Sequence, residues 1–320
     1  MAIIDDPSAV FQVQLYTGNG SADHAITNTG NSDLQPDIVW IKNRDAGDHN
    51  CLFDSTRGVT KLLHPSNAIA EATDADTLDA FSTDGFRVDA DDKVNTNAEK
   101  YVAWQWKKTA GVCDIVSYTG NGSARNISHS LGVVPKMMIV KNLDTTDKYQ
   151  IYYGDNTDYL QMQVTDATAD NVNRWNDTTP TSSVFTIGNG NEVNTNTERY
   201  ICYLFANSSM SRVGTWVGNA TIANANFVYL PFKPAYVLAK SVDGITEWFV
   251  TDYKRHTGIN QLNIKLSANT GDAEGTLSYM DLLSNGFKIT YSDVASEVQW
   301  YIAFAESPFV TSTGVPATAR

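Results

Sequence analysis

One unit of sequence recurs three times along this chain at a near-constant spacing. The positions that hold the register recur every 99 residues: Pro36, Pro135 and Pro234; Lys42, Lys141 and Lys240; Asp45, Asp144 and Asp243. A unit of about 100 residues has the size of an independent domain, whereas solenoid units run to about 20–50 residues. We therefore expect three small domains at 1–108, 113–206 and 211–306, followed by a C-terminal tail at 307–320. Because the peptide linkers between these domains are short, neighbouring domains should contact one another.

The apolar runs have the length and composition of strands. They are about five to seven residues long, rich in Val, Ile, Tyr, Phe and Trp, and bounded by Gly, Asn, Asp and Pro. We predict strands at 12–16, 38–43, 50–54, 86–89 and 101–107; at 115–118, 137–142, 149–153, 184–187 and 199–205; and at 212–217, 236–241, 248–252, 287–291 and 298–305. One helical turn is expected at 74–80. The pattern predicts an all-β protein made of three tandem β-sandwich, jelly-roll-like repeats.

Charge and hydropathy exclude some partners. The net charge is −13, and no basic cluster is larger than Lys107-Lys108. Binding to nucleic acid requires a basic face that neutralises phosphates, and an anionic membrane repels an acidic surface, so we expect neither partner. No run reaches the roughly 20 apolar residues of a membrane-spanning helix, and residues 1–6 lack the basic start of a secretory signal.

No catalytic or metal-binding motif stands out, and we expect no enzyme activity and no cofactor. The histidines lack zinc-site spacing, and no nucleophile lies in a GxSxG turn. The acidic segment 74–92 is interpreted as a solvated loop, with a calcium site as the alternative. Glu99 and Glu198 match between copies and could serve as a carboxylate pair for glycoside hydrolysis, which leaves a glycan-degrading enzyme as a remote alternative.

Two smaller patterns are interpreted as structural. Cys202 stands where the other copies carry alanine, so we expect it to be a small buried residue. Asp54-Arg57 and Asp252-Arg255 recur two repeats apart and are expected to form ion pairs that brace a loop.

Trp175 is the residue we select as a ligand contact. It lies in the polar run Asn-Arg-Trp-Asn-Asp, which predicts an exposed loop; the alternative is that it fills a joint between domains. The segments that differ between copies, 64–80, 155–182 and 255–278, are free to specialise, because the repeated strands serve the scaffold.

The repeated motifs resemble a known family. YTGNGSA, LQPDIVWIKNRD, LFDSTRGVTK, STDGFRV and NTNAEKYVAWQWKK together resemble a repeat domain of tailed-bacteriophage virion structural proteins, often labelled tail fibre. VSYTGNGS and ISHSLGVVPKMMIVKN resemble its second copy, and FKPAYVLAKS, LSNGFKI and YIAFAESPF its third. The resemblance implies a virion component, made in the host cytoplasm, without catalytic residues. Phage fibres and many decoration proteins are trimeric, so it also implies a homotrimer.

We therefore expect a structural protein exposed on the phage particle. A tail-fibre or receptor-binding component that contacts a host-surface glycan or protein is favoured, because the surface is polar and rich in loops. A capsid decoration protein that stabilises the head is the alternative. Its other partners would be proteins of the tail or capsid.

Overall fold

The computed structural model of this protein describes residues 4–219, 226–256, 262–290 and 296–308. These residues form antiparallel strands joined by turns and three one-turn helices, so the all-β prediction is confirmed. After a 3-10 turn at Pro7–Ala9, the first elements are β1 (Phe11–Thr17), β2 (His24–Thr27), β3 (Ile38–Asn43), β4 (Cys51–Asp54), β5 (Lys61–Leu62), β6 (Ala72–Thr73), β7 (Leu78–Ser82), β8 (Gly85–Val88), α1 (Asp92–Asn95) and β9 (Lys100–Trp106).

The middle of the chain continues the same alternation of strands and turns. Its elements are β10 (Cys113–Thr119), β11 (Arg125–Ser128), β12 (Met137–Asn142), β13 (Gln150–Tyr152), β14 (Asp158–Gln161), β15 (Ala169–Asp170), α2 (Val172–Trp175), β16 (Val184–Ile187), α3 (Asn191–Asn194) and β17 (Arg199–Phe205). The last part contains β18 (Ser211–Val217), β19 (Phe227–Tyr229), β20 (Phe232–Ser241), β21 (Phe249–Asp252), β22 (Leu262–Ser267), β23 (Gly275–Leu283), β24 (Gly286–Ile289) and β25 (Val298–Pro308).

Three main sheets have the same strand order at their centre. The first runs β1-β9-β3-β4; the second begins β10-β17-β12-β13 and continues through β14 and β15; the third begins β18-β25-β20-β21 and continues through β22, β23, β24 and β19. The middle pairs have the same register: Ile38 faces Trp106, Met137 faces Phe205 and Tyr236 faces Phe304. The 99-residue spacing of the sequence is therefore also the spacing of strand pairing.

The middle strands of the main sheets are buried on both faces, which explains their continuous apolar runs. Side chains alternate across a strand, so Ile38 and Trp40 of β3 lie on one face and Val39 and Ile41 on the other. All six residues of β3 and of β12 are buried, including the polar ones. Each main sheet therefore needs a packing partner on both sides.

The inner partner is a core that all three main sheets build together, which we call the shared core. At its centre Trp106, Phe205 and Phe304 form a triangle, with ring centroids 5.6–6.0 Å apart. These rings, together with residues from β3, β12 and β20, surround a void of about 30 Å³. Burying one such side chain stabilises the fold by about 1.5–3 kcal/mol, and an aromatic pair adds about 0.5–1.5 kcal/mol. The three main sheets therefore stabilise one another.

The outer partner is a smaller layer. The sheet β2-β8-β7 covers the first main sheet, where Phe86 packs with Val39 and Tyr101. The pair β11-β16 covers the second, where Phe185 packs with Val140. In the last part of the chain, β23 and β24 belong to the main sheet itself and pack back onto β20. This layering confirms the β-sandwich character.

The recurring TGNG turns are fixed by a buried asparagine. In the first copy, Asn95 Oδ1 accepts from the backbone N–H of Asn19, and its amide donates to the carbonyl oxygens of Ser21 and Asp89. A Cβ at Gly18 would overlap the carbonyl oxygen of Thr96, so only glycine fits there. Asn194 holds the second turn in the same way.

Several sequence expectations differ from the structure. The helical turn expected at 74–80 is wrong, because this segment turns and enters β7, while α1, α2 and α3 were not predicted. The variable segments are not only loops, since β14, β15 and β22 lie within them. Residues 307 and 308 of the expected tail belong to β25, and its remainder lies outside the described residues.

Candidate functional site

Trp175 lies in the core, so the exposed loop position predicted for it is wrong. It is 1% exposed, its Nε1 donates to the carbonyl oxygen of Asp158 at 3.0 Å, and its ring meets Tyr152 edge-on. Asn171 caps α2 through the N–H of Asn173, and this one-turn helix carries the indole inward. In this conformation the ring is not available for stacking on a ligand, nor does it fill a joint.

The residues next to Trp175 in the sequence are polar, so its burial was not predicted. Arg174 is itself only 5% exposed, because Gln150 accepts from its Nε and Glu192 from its Nη2. A charged residue with two partners inside the fold has the same sequence signature as a solvated one.

Carboxylates of the acidic segment 74–92 cap a helix, form an ion pair and accept a backbone hydrogen bond. Asp91 caps α1 and pairs with Lys93 at 2.8 Å, and Asp84 accepts from the N–H of Leu34. No group of three or more His, Cys, Asp or Glu side chains with metal-binding geometry occurs among the described residues.

The matched glutamates brace a turn in their own sheet. Asn43 donates its amide to Asp48 and to Glu99, both at 2.6 Å, and Asn142 repeats this arrangement with Asp147 and Glu198. In the third sheet Ser241 and Glu297 form the equivalent bond. The recurrence of these carboxylates follows from the recurrence of the turn.

The three cysteines are buried and form no disulfide, as expected for Cys202. Burial raises the pKa of the Cys113 thiol to about 12 and raises those of Cys51 and Cys202 as well. A protonated buried thiol is a poor nucleophile.

The candidate site is the set of interfaces between the main sheets, which we call the joints. Each joint contains a buried lysine that is at most 1% exposed: Lys42, Lys141 and Lys240. Each ammonium donates to carbonyl oxygens of its own turn and to one carbonyl oxygen of another sheet's loop. Burial lowers the pKa of each lysine to about 8.

The loop that each lysine reaches follows a cyclic order. Lys42 reaches Gly271 in the third unit at 3.0 Å, Lys141 reaches Ala68 in the first at 3.5 Å, and Lys240 reaches Thr165 in the second at 3.0 Å. All three acceptors lie in the segments that differ between copies. Those segments therefore close the joints, in addition to any role in binding.

At the joint of the first and second sheets, the lysine is joined by a buried ion-pair network. Arg57 pairs with Asp54 at 2.5 Å and with Glu71 at 3.3 Å, which confirms the expected Asp–Arg pair. Tyr203 of the second sheet donates its hydroxyl to Asp54 Oδ2 at 2.6 Å, and Arg199 also reaches Glu71. The carboxylate thus connects two sheets.

The joint of the third and first sheets repeats the network with different donors. Arg255 pairs with Asp252 at 2.6 Å and with Glu274 at 3.2 Å. Trp104 Nε1 of the first sheet donates to Asp252 Oδ2 at 3.0 Å, and Arg44 forms two bonds of 2.8 Å with Glu274.

The joint of the second and third sheets lacks both the buried carboxylate that accepts and the side chain that donates to it. Tyr153 stands in place of Asp54 and Asp252, and Ile302 in place of Trp104 and Tyr203. Removing only one partner would leave a buried polar group unsatisfied at a cost of about 1–3 kcal/mol. Residues 104, 203 and 302 recur at the 99-residue spacing, but the local sequence does not indicate which residue of the neighbouring sheet each of them contacts.

The described residues contain no helix that is long and apolar enough to cross a membrane.

The fold and the joints define an all-β protein whose sheets are interlocked by buried charges. Residues 6–308 match the family described as Domain of unknown function (DUF7483), so the chain belongs to this family. No curated protein and no solved structure matches the chain.

Proposed function

We propose that this protein is a non-catalytic structural component of a tailed-phage particle, displayed on its surface as a tail-fibre or receptor-binding component. The observation that carries the proposal is the closed set of joints, in which three buried lysines and two buried ion-pair networks connect the three main sheets. Sheets that are connected by buried ion pairs and hydrogen bonds resist separation, which suits a component that functions outside the cell. The repeated motifs quoted above support the phage assignment.

The chain is organised, in this proposal, as three tandem β-sandwich repeats of about 100 residues closed in cyclic order. The common register of Ile38, Met137 and Tyr236 supports the repeat, and the order in which the lysines reach their acceptors supports the closure. One chain then supplies by itself the threefold arrangement that homotrimeric fibres build from three chains. Sedimentation or light scattering of the purified protein tests whether three such chains also associate into the homotrimer that the resemblance implies.

Capsid decoration is the alternative function. The cyclic arrangement of the three joints favours it, because a threefold body matches the threefold positions of an icosahedral shell. In that case the partners are capsid proteins rather than a host-surface glycan or protein.

Deletion of the gene from the phage distinguishes the two functions. Loss of adsorption to host cells, with heads that withstand heat and low salt, supports the receptor-binding role. Unchanged adsorption with heads that burst supports decoration. If mass spectrometry of purified particles does not detect the protein, the virion proposal is wrong.

A further inference from the structure

A cavity of about 280 Å³ opens at the joint of the first and third sheets. Phe11, Gln12 and Val13 of β1 form one wall, and Tyr253 and Lys254 lie on the other. At the other two joints a peptide linker, 107–112 between β9 and β10 or 206–210 between β17 and β18, passes from one sheet to the next. Among the described residues no segment runs from the third sheet back to the first, and the cavity lies at this joint.

The cavity combines an apolar base with a polar rim. The buried residues Phe11, Val13, Ala235 and Ala305 line the base beside Ser8, and the exposed residues Thr29, Gly30 and Asn31 form the rim. The carboxylate of Asp6 accepts hydrogen bonds from Ser8, Asn31 and Ser32, which fixes this rim. Burial tends to raise the pKa of Asp6, but these hydrogen bonds lower it overall, so the brace remains ionised at neutral pH.

Lys254 supplies positive charge at the mouth. Its Nζ donates to Thr29 Oγ1 at 3.0 Å across the two walls. An ammonium has three N–H groups, so it retains donors for a ligand. The Nζ atoms of Lys254 and Lys233 lie 5.5 and 5.7 Å from the centroid of the Tyr253 ring. In a chain with a net charge of −13, two cations beside one aromatic ring form a local exception.

This combination of side chains occurs in only one copy. The positions that correspond to Tyr253 at the 99-residue spacing are Ser55 and Gly154, and those that correspond to Lys254 are Thr56 and Asp155. The scaffold does not require an aromatic ring or a cation here, since two copies are built without them.

We propose that the cavity binds a single sugar ring that carries a carboxylate. Its volume lies just below the usual range of small-molecule sites, which suits one ring rather than an oligosaccharide. The apolar base fits the C–H face of a pyranose, the rim fits its hydroxyl groups, and Lys254 forms a charge-assisted hydrogen bond with the carboxylate. The inference rests on the proposed receptor-binding function and names the class of glycan that it recognises.

Titration calorimetry of the purified protein with D-glucuronate and with D-glucose tests the proposal. Glucuronate should bind at least tenfold more tightly than glucose, and Lys254→Gln should remove at least tenfold of that affinity. Lys136→Gln, an exposed lysine in the second unit, is the matched control and should leave binding unchanged. Equal binding of the two sugars, or no binding of either, overturns the proposal without depending on any variant.

The outcome can be separated from that of the proposed function. If glucuronate binds but gene deletion leaves adsorption unchanged, the site stands and the receptor-binding role falls. If deletion abolishes adsorption but neither sugar binds, the function stands and this site is wrong.

Discussion

Replacing Tyr203 by phenylalanine removes one hydroxyl from the joint of the first and second sheets. The hydroxyl donates to Asp54 Oδ2 at 2.6 Å, and neither side chain is more than 1% exposed. A hydrogen bond to a buried charge contributes about 1.5–3 kcal/mol, and the change creates almost no cavity. Asp54 keeps its bonds from Arg57, so its charge remains paired. We expect Tyr203→Phe to lower the free energy of unfolding by about 1.5–3 kcal/mol and Tm by about 2–6 °C.

Tyr153→Phe is the matched control at the joint that lacks the network. Its hydroxyl meets Asp158 of the same sheet at 3.4 Å, so the loss should be below about 1 kcal/mol. Asp54→Ala should cost more than Tyr203→Phe, about 3–5 kcal/mol, because the buried Arg57 loses its nearer carboxylate and keeps Glu71, at 3.3 Å, as its charged partner. Urea unfolding followed by tryptophan fluorescence measures all three variants. Equal losses for the two tyrosine variants would refute the view that the buried carboxylate connects the sheets.

Three further changes test the core, a turn and a histidine. Trp175→Ala should cost about 3–5 kcal/mol in denaturant unfolding, because it leaves a cavity, whereas Val172→Ala on the exposed face of the same helix should cost less than about 0.5 kcal/mol. Gly120→Ala should cost about 1–3 kcal/mol, because its Cβ would overlap a backbone carbonyl, whereas Gly275→Ala meets open space and should be nearly neutral. Burial and a neighbouring arginine lower the pKa of His256 to about 4 from an ordinary 6.5, so the unfolded state takes up the proton first. Stability should therefore fall as pH falls from 6.5 toward 4, and His256→Gln should remove that part of the loss, as followed by Tm against pH.

Specific results would contradict these expectations. A Trp175→Ala protein as stable as the wild type would mean that the indole is not a core residue. A Gly120→Ala protein as stable as the Gly275→Ala protein would mean that the turn has space for a methyl group. An identical pH profile with and without His256 would mean that its ring titrates normally in the folded state.

Local sequence was sufficient to predict the bounds of several strands. The predicted bounds of β3, β12, β16 and β17 agree with the structure, because each is an apolar run enriched in β-branched or aromatic residues and bounded by turn residues. Strands β14, β15 and β22 were missed. They depend on pairing with a neighbour that only the folded chain supplies, and none of them is a continuous apolar run.

The contacts at the candidate sites also differ in whether they could be predicted from local sequence. The Asp54–Arg57 pair could be predicted because its members are three residues apart and face each other in one turn. The donor to that pair, Tyr203, is 149 residues from Asp54, so only the packing of two sheets brings them together. The cavity beside Tyr253 and Lys254 is likewise formed by residues from opposite ends of the chain.

The sequence alone determined the strand-forming runs and the turns, because both depend on short-range patterns of apolar residues, glycine and asparagine. Only the tertiary structure decided what covers the second face of each main sheet, since an apolar run does not specify its packing partner. It also decided that Trp175 is buried and that the variable segments close the joints, because burial of a polar segment depends on partners distant in sequence. The physical reason is that strand formation is a local property, whereas the satisfaction of buried charges is a property of the whole fold.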